Sequence, residues 1–308
     1  MCNKEITKMQ QKTIVPIVSV RDVESVINLL SAEVEICEEL ATPYKYVGAE
    51  GELKFFEGQK RAYSDAIRYR NMPYGIRAQR QILDLNIPKN IKGDANLMLY
   101  IHGGAWTSGS KDDYEPALDR MTNRGIVAAA LNYRYSGWPN YASVYDILDD
   151  ITAALEKIKE KAAENGITLK GVMFNGGSAG AHLSLLYAYS RVDEAPVKPV
   201  AVLAQCPPTD FTDFSFYDGS IHEIDPEKWC ISKSQWCKYL TVMTGTIITQ
   251  SNLEKKTDAL YDISPMKYVN KNTVPTILAH GTKDTVVPYA NSVNLEKKLT
   301  EYGVEHEF

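Results

Sequence analysis

The chain lacks an excess of basic residues. Its 34 Lys and Arg stand against 39 Asp and Glu, a formal net charge of −5, which argues against the clustered positive footprint of a nucleic-acid-binding surface. It also lacks any run approaching the roughly 18 apolar residues that a membrane-crossing helix needs. Cysteine is scarce. Five of them, at 2, 37, 206, 230 and 237, form an odd set without repeated C-x-x-C spacing, so neither a disulfide framework nor a zinc site is expected. Cys230 and Cys237 stand seven apart, each after a tryptophan (Trp229, Trp236); that spacing puts them on one helix face and reads as packing. Nor does the N-terminal stretch read as a convincing secretory leader, which leaves secretion open only for a chain whose leader has been removed. Met1 to Lys12 is polar, and the apolar stretch Thr13 to Val20 is short, broken by Pro16 and without a small-residue cleavage site, so a cytoplasmic location is expected.

What is present suits a single globular domain with a large core: 308 residues, 44% apolar and 24% charged. Val23, Val26, Ile27, Leu30, Val34 and Cys37 recur at helical spacing and predict an amphipathic helix in an N-terminal extension covering residues 1–75. Beyond it, Gln79 to Ile87 alternates polar and apolar, whereas Leu97 to Ile101 and Ile126 to Leu131 are continuous apolar runs, as strands covered on both faces should be. Ile147, Ile151, Leu155 and Ile158 form one helical stripe, followed by strand candidates at Val172 to Phe174, Val200 to Ala204 and Thr276 to Ala279. Strand and helix alternate to the end, with Tyr289 to Tyr302 as the last helix and Val304 to Phe308 opening a final strand. This is the α/β class: a mostly parallel sheet with helices on both faces and its ligand site at the carboxyl ends of the strands.

Three motifs fall at such strand ends. Gly176-Gly177-Ser178-Ala179-Gly180 lies between the strand Val172 to Phe174 and the helix-patterned Ala181 to Tyr189. That context makes Ser178 a candidate nucleophile on a sharp strand-to-helix corner, where small neighbours let the chain turn and expose the hydroxyl. His102-Gly103-Gly104-Ala105-Trp106 follows Leu97 to Ile101 and reads as an oxyanion loop. Its glycines let backbone amides approach a carbonyl oxygen that gains negative charge, with Gly103, Gly104, Ala105 and, after the nucleophile, Ala179 as candidate donors. His102 reads as a brace for that loop. Trp106 is the pocket candidate, either walling the cavity or simply packing. His280-Gly281-Thr282-Lys283-Asp284 follows Thr276 to Ala279 and supplies Asp284 as the acid that orients a base; His280 reads as structural. Asp149 and Asp150 compete for the acid role, but their helical setting suggests solvated side chains.

These motifs together resemble the α/β-hydrolase superfamily, in its esterase and lipase group with an H-G-G-x-W loop, from about Gln79 onward. The resemblance implies one α/β-hydrolase domain that needs no metal or cofactor and cleaves carboxylic esters of small substrates through an acyl-enzyme on Ser178. It also implies a histidine base in a loop past the last strand. His306, 22 residues after Asp284, falls inside that strand, so the base is expected beyond Phe308, with His306 the weaker candidate. His182, on the helix after the elbow, reads as structural, and His222 lies in an aromatic-rich, cap-like insert over 208–250. Those aromatics suit either a substrate cap or a satellite core. Two rivals remain: an arylformamidase of the kynurenine formamidase type, and a non-catalytic ligand-binding protein on a hydrolase scaffold, as in the plant gibberellin receptors.

Overall fold

The computed structural model describes residues 66–77, 79–214, 217, 232–284 and 286–308. The N-terminal helix predicted around Val23 to Cys37 lies outside the described residues, as do Cys2, Cys230, His222 and Trp229. Eight strands are present: β1 (Ala66–Pro73), β2 (Ile82–Pro88), β3 (Gly93–Ile101), β4 (Val127–Asn132), β5 (Ile167–Gly177), β6 (Pro199–Gln205), β7 (Thr276–Ala279) and β8 (His306–Glu307). They form one sheet in the order β1-β2-β4-β3-β5-β6-β7-β8. The β1–β2 and β2–β4 pairs are antiparallel, and the pairs from β4 through β8 are parallel. The sheet therefore takes in Ala66 to Pro73, which the sequence reading left in the N-terminal extension.

Side chains alternate across the sheet, and each face has its own helical cover. Leu97, Leu99, Ile101, Val127, Leu131, Val172 and Phe174 share a core with Ile147, Ile151, Leu155 and Ile158 of helix α2 (Val144–Glu164) and with Leu183, Leu186 and Tyr187 of helix α3 (Ala179–Ser190). Met98, Tyr100, Ala128, Ala130, Met173 and Leu203 face the other way, against Ala117, Leu118 and Met121 of helix α1 (Glu115–Asn123). Two covered faces explain the unbroken apolar runs of β3 and β4. Strand β2 departs from its pattern: the alternation predicts one wet face, yet Leu83 to Pro88 are all buried. Its polar residues are paired instead. Asp84 lies 3.0 Å from Lys111 Nζ, itself 2% exposed, and Asn86 accepts from Arg70 and donates to Asp119.

Helix α2 starts on a capping box in which Ser143 accepts from the Asp146 amide and Asp146 accepts from the Ser143 amide. Asp150, one turn on, is 1% exposed. It accepts from the Arg134 amide at 2.9 Å, from the Arg134 guanidinium and from Gln81 Nε2 at 2.8 Å. This corrects the solvated reading of Asp150, whereas Asp149 is exposed and meets only Arg191 at 3.4 Å. Helix α4 (Lys233–Thr244) belongs to the expected insert, followed by α5 (Thr257–Asp262) and α6 (Ala290–Glu301). Of the described aromatics of the insert, Phe211, Tyr217 and Trp236 are core, with Phe211 and Tyr217 1% exposed and Trp236 packed edge-on to Tyr217, whereas Phe214 is half-buried and Tyr239 is exposed. Among the described residues, no helix is long and apolar enough to cross a membrane.

Removing one partner of a buried ion pair strands the other. Asp150→Ala is expected to cost about 3–5 kcal/mol of stability, and Asp149→Ala within about 0.5 kcal/mol of zero, as measured by urea unfolding of both variants.

Candidate active site

Ser178 follows β5 directly and has φ 54°, ψ −120°, a backbone conformation that side chains rarely adopt and that is stored where function needs it. It occupies the N-cap of α3, yet its hydroxyl makes no capping bond. A serine at that position usually bonds its oxygen to helix amides; here it does not. Its amide donates to Gln205 O at 2.8 Å, tying the elbow to β6. The flanking glycines differ in what they permit. A methyl on Gly180 would lie 2.0 Å from Ile101 O and 2.7 Å from His102 O, and one on Gly176 would lie 2.5 Å from Gly180 C and O. A methyl on Gly177 would meet nothing within 4 Å. The motif's spacing is thus the requirement that α3 start against the end of β3.

The loop after β3 lies beside Ser178. A methyl on Gly103 would be 3.6 Å from Ser178 Cβ. Gly104, Ala105 and Trp106 take successive positive φ values of 103°, 50° and 59°, and the turn is closed by Thr107 and Ser108 amides donating to Gly104 O. Among the described residues, nothing accepts a hydrogen bond from the amides of Gly103, Gly104, Ala105 or Ala179. Four unspent N–H groups on two converging chain segments, one of them a helix N-terminus, are the equipment for holding an oxyanion.

Trp106 turns inward: it is 4% exposed, donates from Nε1 to His182 Nδ1 at 3.0 Å and packs against Phe211. Its indole is thereby held between His182 and Phe211. His182 passes the contact on, donating from Nε2 to Ile263 O at 2.7 Å. His102 is also buried, stacked on Tyr133 with ring centroids 4.2 Å apart. Its Nδ1 lies 2.8 Å from Gly103 O and its Nε2 3.0 Å from Arg80 Nη2.

Asp284 follows β7. Its Oδ1 accepts from the Val286 and Val287 amides at 2.7 and 2.9 Å, leaving Oδ2 for a base. Oδ2 lies 3.4 Å from His280 Nε2, and His280 Nδ1 lies 2.7 Å from Ser292 Oγ. Acid, imidazole and serine here mimic a catalytic triad, but Ser292 is fully buried and His280 Nε2 donates to Val287 O at 3.0 Å. The grouping is structural, as expected of His280. Strand order places Ser178 and Asp284 on the same rim, at the ends of strands on either side of β6. Cys206, at the end of β6, touches both neighbourhoods: burial pushes its thiol pKa up, the Ser178 amide opposes this, and the Asp284 charge adds to it. Sequence reading passed over Cys206, although the strand-end rule that found the other residues also points to it.

His306 sits on β8, away from this rim, with Nδ1 2.7 Å from Val304 O and Nε2 3.2 Å from Thr300 Oγ1. All four described histidines, 102, 182, 280 and 306, therefore have both ring nitrogens engaged elsewhere. Among the described residues, no cluster of three or more His, Cys, Asp and Glu side chains is placed to hold a metal ion.

The model of the BD-FAE family matches residues 83–299, well over half of the chain. Esterase LipQ of Mycobacterium tuberculosis (strain ATCC 25618 / H37Rv) is 28% identical over 82% of this chain and 56% of its own length. A kynurenine formamidase of Salmo salar is 26% identical over 46% of each chain. The chain spans about half the length of the curated relatives it matches. Among solved structures, a truncated form of a carbohydrate esterase from gut microbiota superposes with a TM-score of 0.61 at 22% identity, covering 80% of this chain and 87% of that one. The fold is that of the α/β-hydrolases.

Two tests follow from this geometry. Gly180→Ala is expected to cost about 3 kcal/mol or more through overpacking, while Gly177→Ala folds normally, as read by denaturant midpoints. Burial pushes the pKa of both His102 and His182 from 6.5 to about 4. The unfolded chain takes up these protons near 6.5 and the folded chain only near 4. Stability present above pH 6.5 therefore drains away as pH falls between those values, by about 2 kcal/mol per histidine on reaching pH 5. His182→Phe should flatten that slope and cost about 2–4 kcal/mol at pH 7.5, because Trp106 Nε1 and Ile263 O lose their partner.

Proposed function

The chain belongs to the BD-FAE family, and on that footing we propose that it is a serine hydrolase of the carboxylesterase type, cleaving esters of small molecules through an acyl-enzyme. The observation that carries this reading is Ser178 at φ 54° with an uncommitted hydroxyl, next to a loop whose Gly103, Gly104 and Ala105 amides are unspent. Relatives bearing the names esterase and carboxylic ester hydrolase support it.

In this cycle Ser178 Oγ attacks the ester carbonyl carbon and its proton passes to an imidazole. The carbonyl oxygen becomes an anion held by the Gly104, Ala105 and Ala179 amides. Collapse expels the alcohol, which takes the proton, and leaves the acyl group on Ser178; water then repeats the sequence and releases the acid. Asp284, with Oδ1 pinned by two amides, orients the imidazole through Oδ2. The base must have a free nitrogen, so it is none of the four described histidines in their present contacts. We assign it to His222 or to a histidine borne outside residues 1–308.

The formamidase relative favours a second substrate for the same machinery, an N-formyl aryl amide, since formamide cleavage passes through the same tetrahedral anion.

The test is fluorophosphonate labelling with hydrolysis of p-nitrophenyl acetate and of an N-formyl arylamine. Labelling of the chain but not of Ser178→Ala is expected, with ester turnover exceeding formamide turnover. Absence of labelling in a protein that binds an ester analogue tightly would favour the ligand-binding reading. Replacing the true base should lower kcat by about 10³–10⁴-fold or more, and His222→Ala reports whether that base is His222.

A further inference from the structure

The sequence singled out the oxyanion loop and its histidine, but not the arginine behind them. Arg80 lies in the turn before β2, and its guanidinium carbon sits over the Tyr135 ring, 3.8 Å from the centroid. Its Nε donates to Tyr133 O at 3.1 Å, and Nη2 reaches His102 Nε2 at 3.0 Å. Tyr133 in turn stacks on His102 and donates from its hydroxyl to His102 O at 2.9 Å. Tyr135 donates to Gly109 O at 2.6 Å, closing the far end of the loop. The arginine is thus held by an aromatic face, a carbonyl and an imidazole together.

A guanidinium has only donors, so the His102 nitrogen facing Arg80 must be the bare acceptor. The ring's single proton then sits on Nδ1, which donates to Gly103 O at 2.8 Å. A peptide unit is planar and trans, with C=O and N–H on opposite sides. Holding Gly103 O against the His102 ring therefore aims the Gly104 N–H the other way, and that amide has no protein partner among the described residues. Space around the contact is tight: a methyl on Gly109 would lie 2.6 Å from His102 Nδ1 and 2.5 Å from Gly103 O. Gly109 thus packs directly against this contact.

We propose that Arg80 is a positioning residue for the oxyanion hole: by donating to His102 Nε2 it selects the Nδ1–H tautomer, which anchors Gly103 O and orients the Gly104 amide toward the reacting carbonyl oxygen. The low proton affinity of buried His102, whose pKa falls to about 4 with the Arg80 charge contributing, is consistent with a ring that stays neutral in working conditions. The catalytic part of the inference rests on the serine-hydrolase reading; the tautomer part does not.

The experiment has two arms, the first on the chain of residues 1–308 and the second on protein that also carries the histidine base. The first reads His102 directly by nitrogen-15 NMR of histidine-labelled protein. The wild type is expected to show Nδ1–H at His102, Arg80→Met a mixture of tautomers, and Arg80→Lys, which keeps one donor, a return toward Nδ1–H. An Nε2–H signal in the wild type, or an unchanged ring in Arg80→Met, overturns the relay. The second arm follows p-nitrophenyl acetate turnover per fluorophosphonate-titrated site, so that loss of folded protein does not count. Arg80→Met should lower kcat about 10–100-fold, less than the 10²–10³-fold typical of deleting an oxyanion donor, with KM within about twofold and partial rescue in Arg80→Lys. Inhibition by a trifluoromethyl ketone, which forms the anion, should weaken in parallel. Because Arg80 acts through His102, Arg80→Met combined with His102→Phe should be no worse than His102→Phe alone; additive losses, or a change in KM alone, overturn the relay. A wild type with the expected tautomer but no labelling of Ser178 sinks the hydrolase reading and leaves the tautomer selection standing.

Discussion

The architecture of the site depends on one steric constraint, the contact between the first turn of α3 and the end of β3. Gly180 sits so close to Ile101 O and His102 O that a single methyl would overlap them. Gly176 is pressed against Gly180 in the same way. With both positions bare, the chain reverses from strand to helix within a few residues, Ser178 is forced to φ 54°, and the loop after β3 comes to rest beside it. Any residue large enough to relax that turn would separate Ser178 from the amides of the loop after β3, because the same contact sets both.

Around this corner the protein places polar groups in pairs that leave no choice of arrangement. His182 accepts from Trp106 and donates to Ile263 O. His102 accepts from Arg80 and donates to Gly103 O. In each case a neutral imidazole has one donor and one acceptor, so the surroundings define a single tautomer and ring orientation. Burial keeps both rings uncharged by lowering their pKa to about 4. The price is acid sensitivity. The gain is a loop after β3 with three consecutive positive φ values that is held by its neighbours and does not rely on its own conformational preference.

The acid loop shows how near a structural cluster comes to a catalytic one. Asp284, His280 and Ser292 have the chemistry and the order of a triad, but the serine is sealed in α6 and the imidazole proton is spent on Val287 O. What separates this grouping from the candidate site is access and the presence of amides without a partner among the described residues, both found at Ser178. The distinction is geometric, since residue types alone are the same.

Much of the fold was legible in the chain. Apolar runs and helical stripes located β3, β4, β5, β6, β7, α2, α3 and α6, because burial on two faces or one stripe leaves a periodic mark. The three strand-end motifs were legible for the same local reason: a tight turn needs glycine, and glycine spacing is visible. Less legible was β2, whose polar residues mimic a wet face but are neutralised by Lys111 and Arg70 from elsewhere in the chain. Asp150 reads as solvated from its helical setting, but Arg134 and Gln81 surround it, and the sequence leaves Trp106 either walling a pocket or packing, with its bond to His182 visible only in the fold. By itself the sequence determined the α/β class, the elbow at Ser178 and the loops at 102–106 and 280–284, all consequences of short-range backbone geometry. Only the tertiary structure decided which charges are buried and where the His102 proton resides, since those depend on partners such as Arg80, distant along the chain, that packing brings within hydrogen-bond reach.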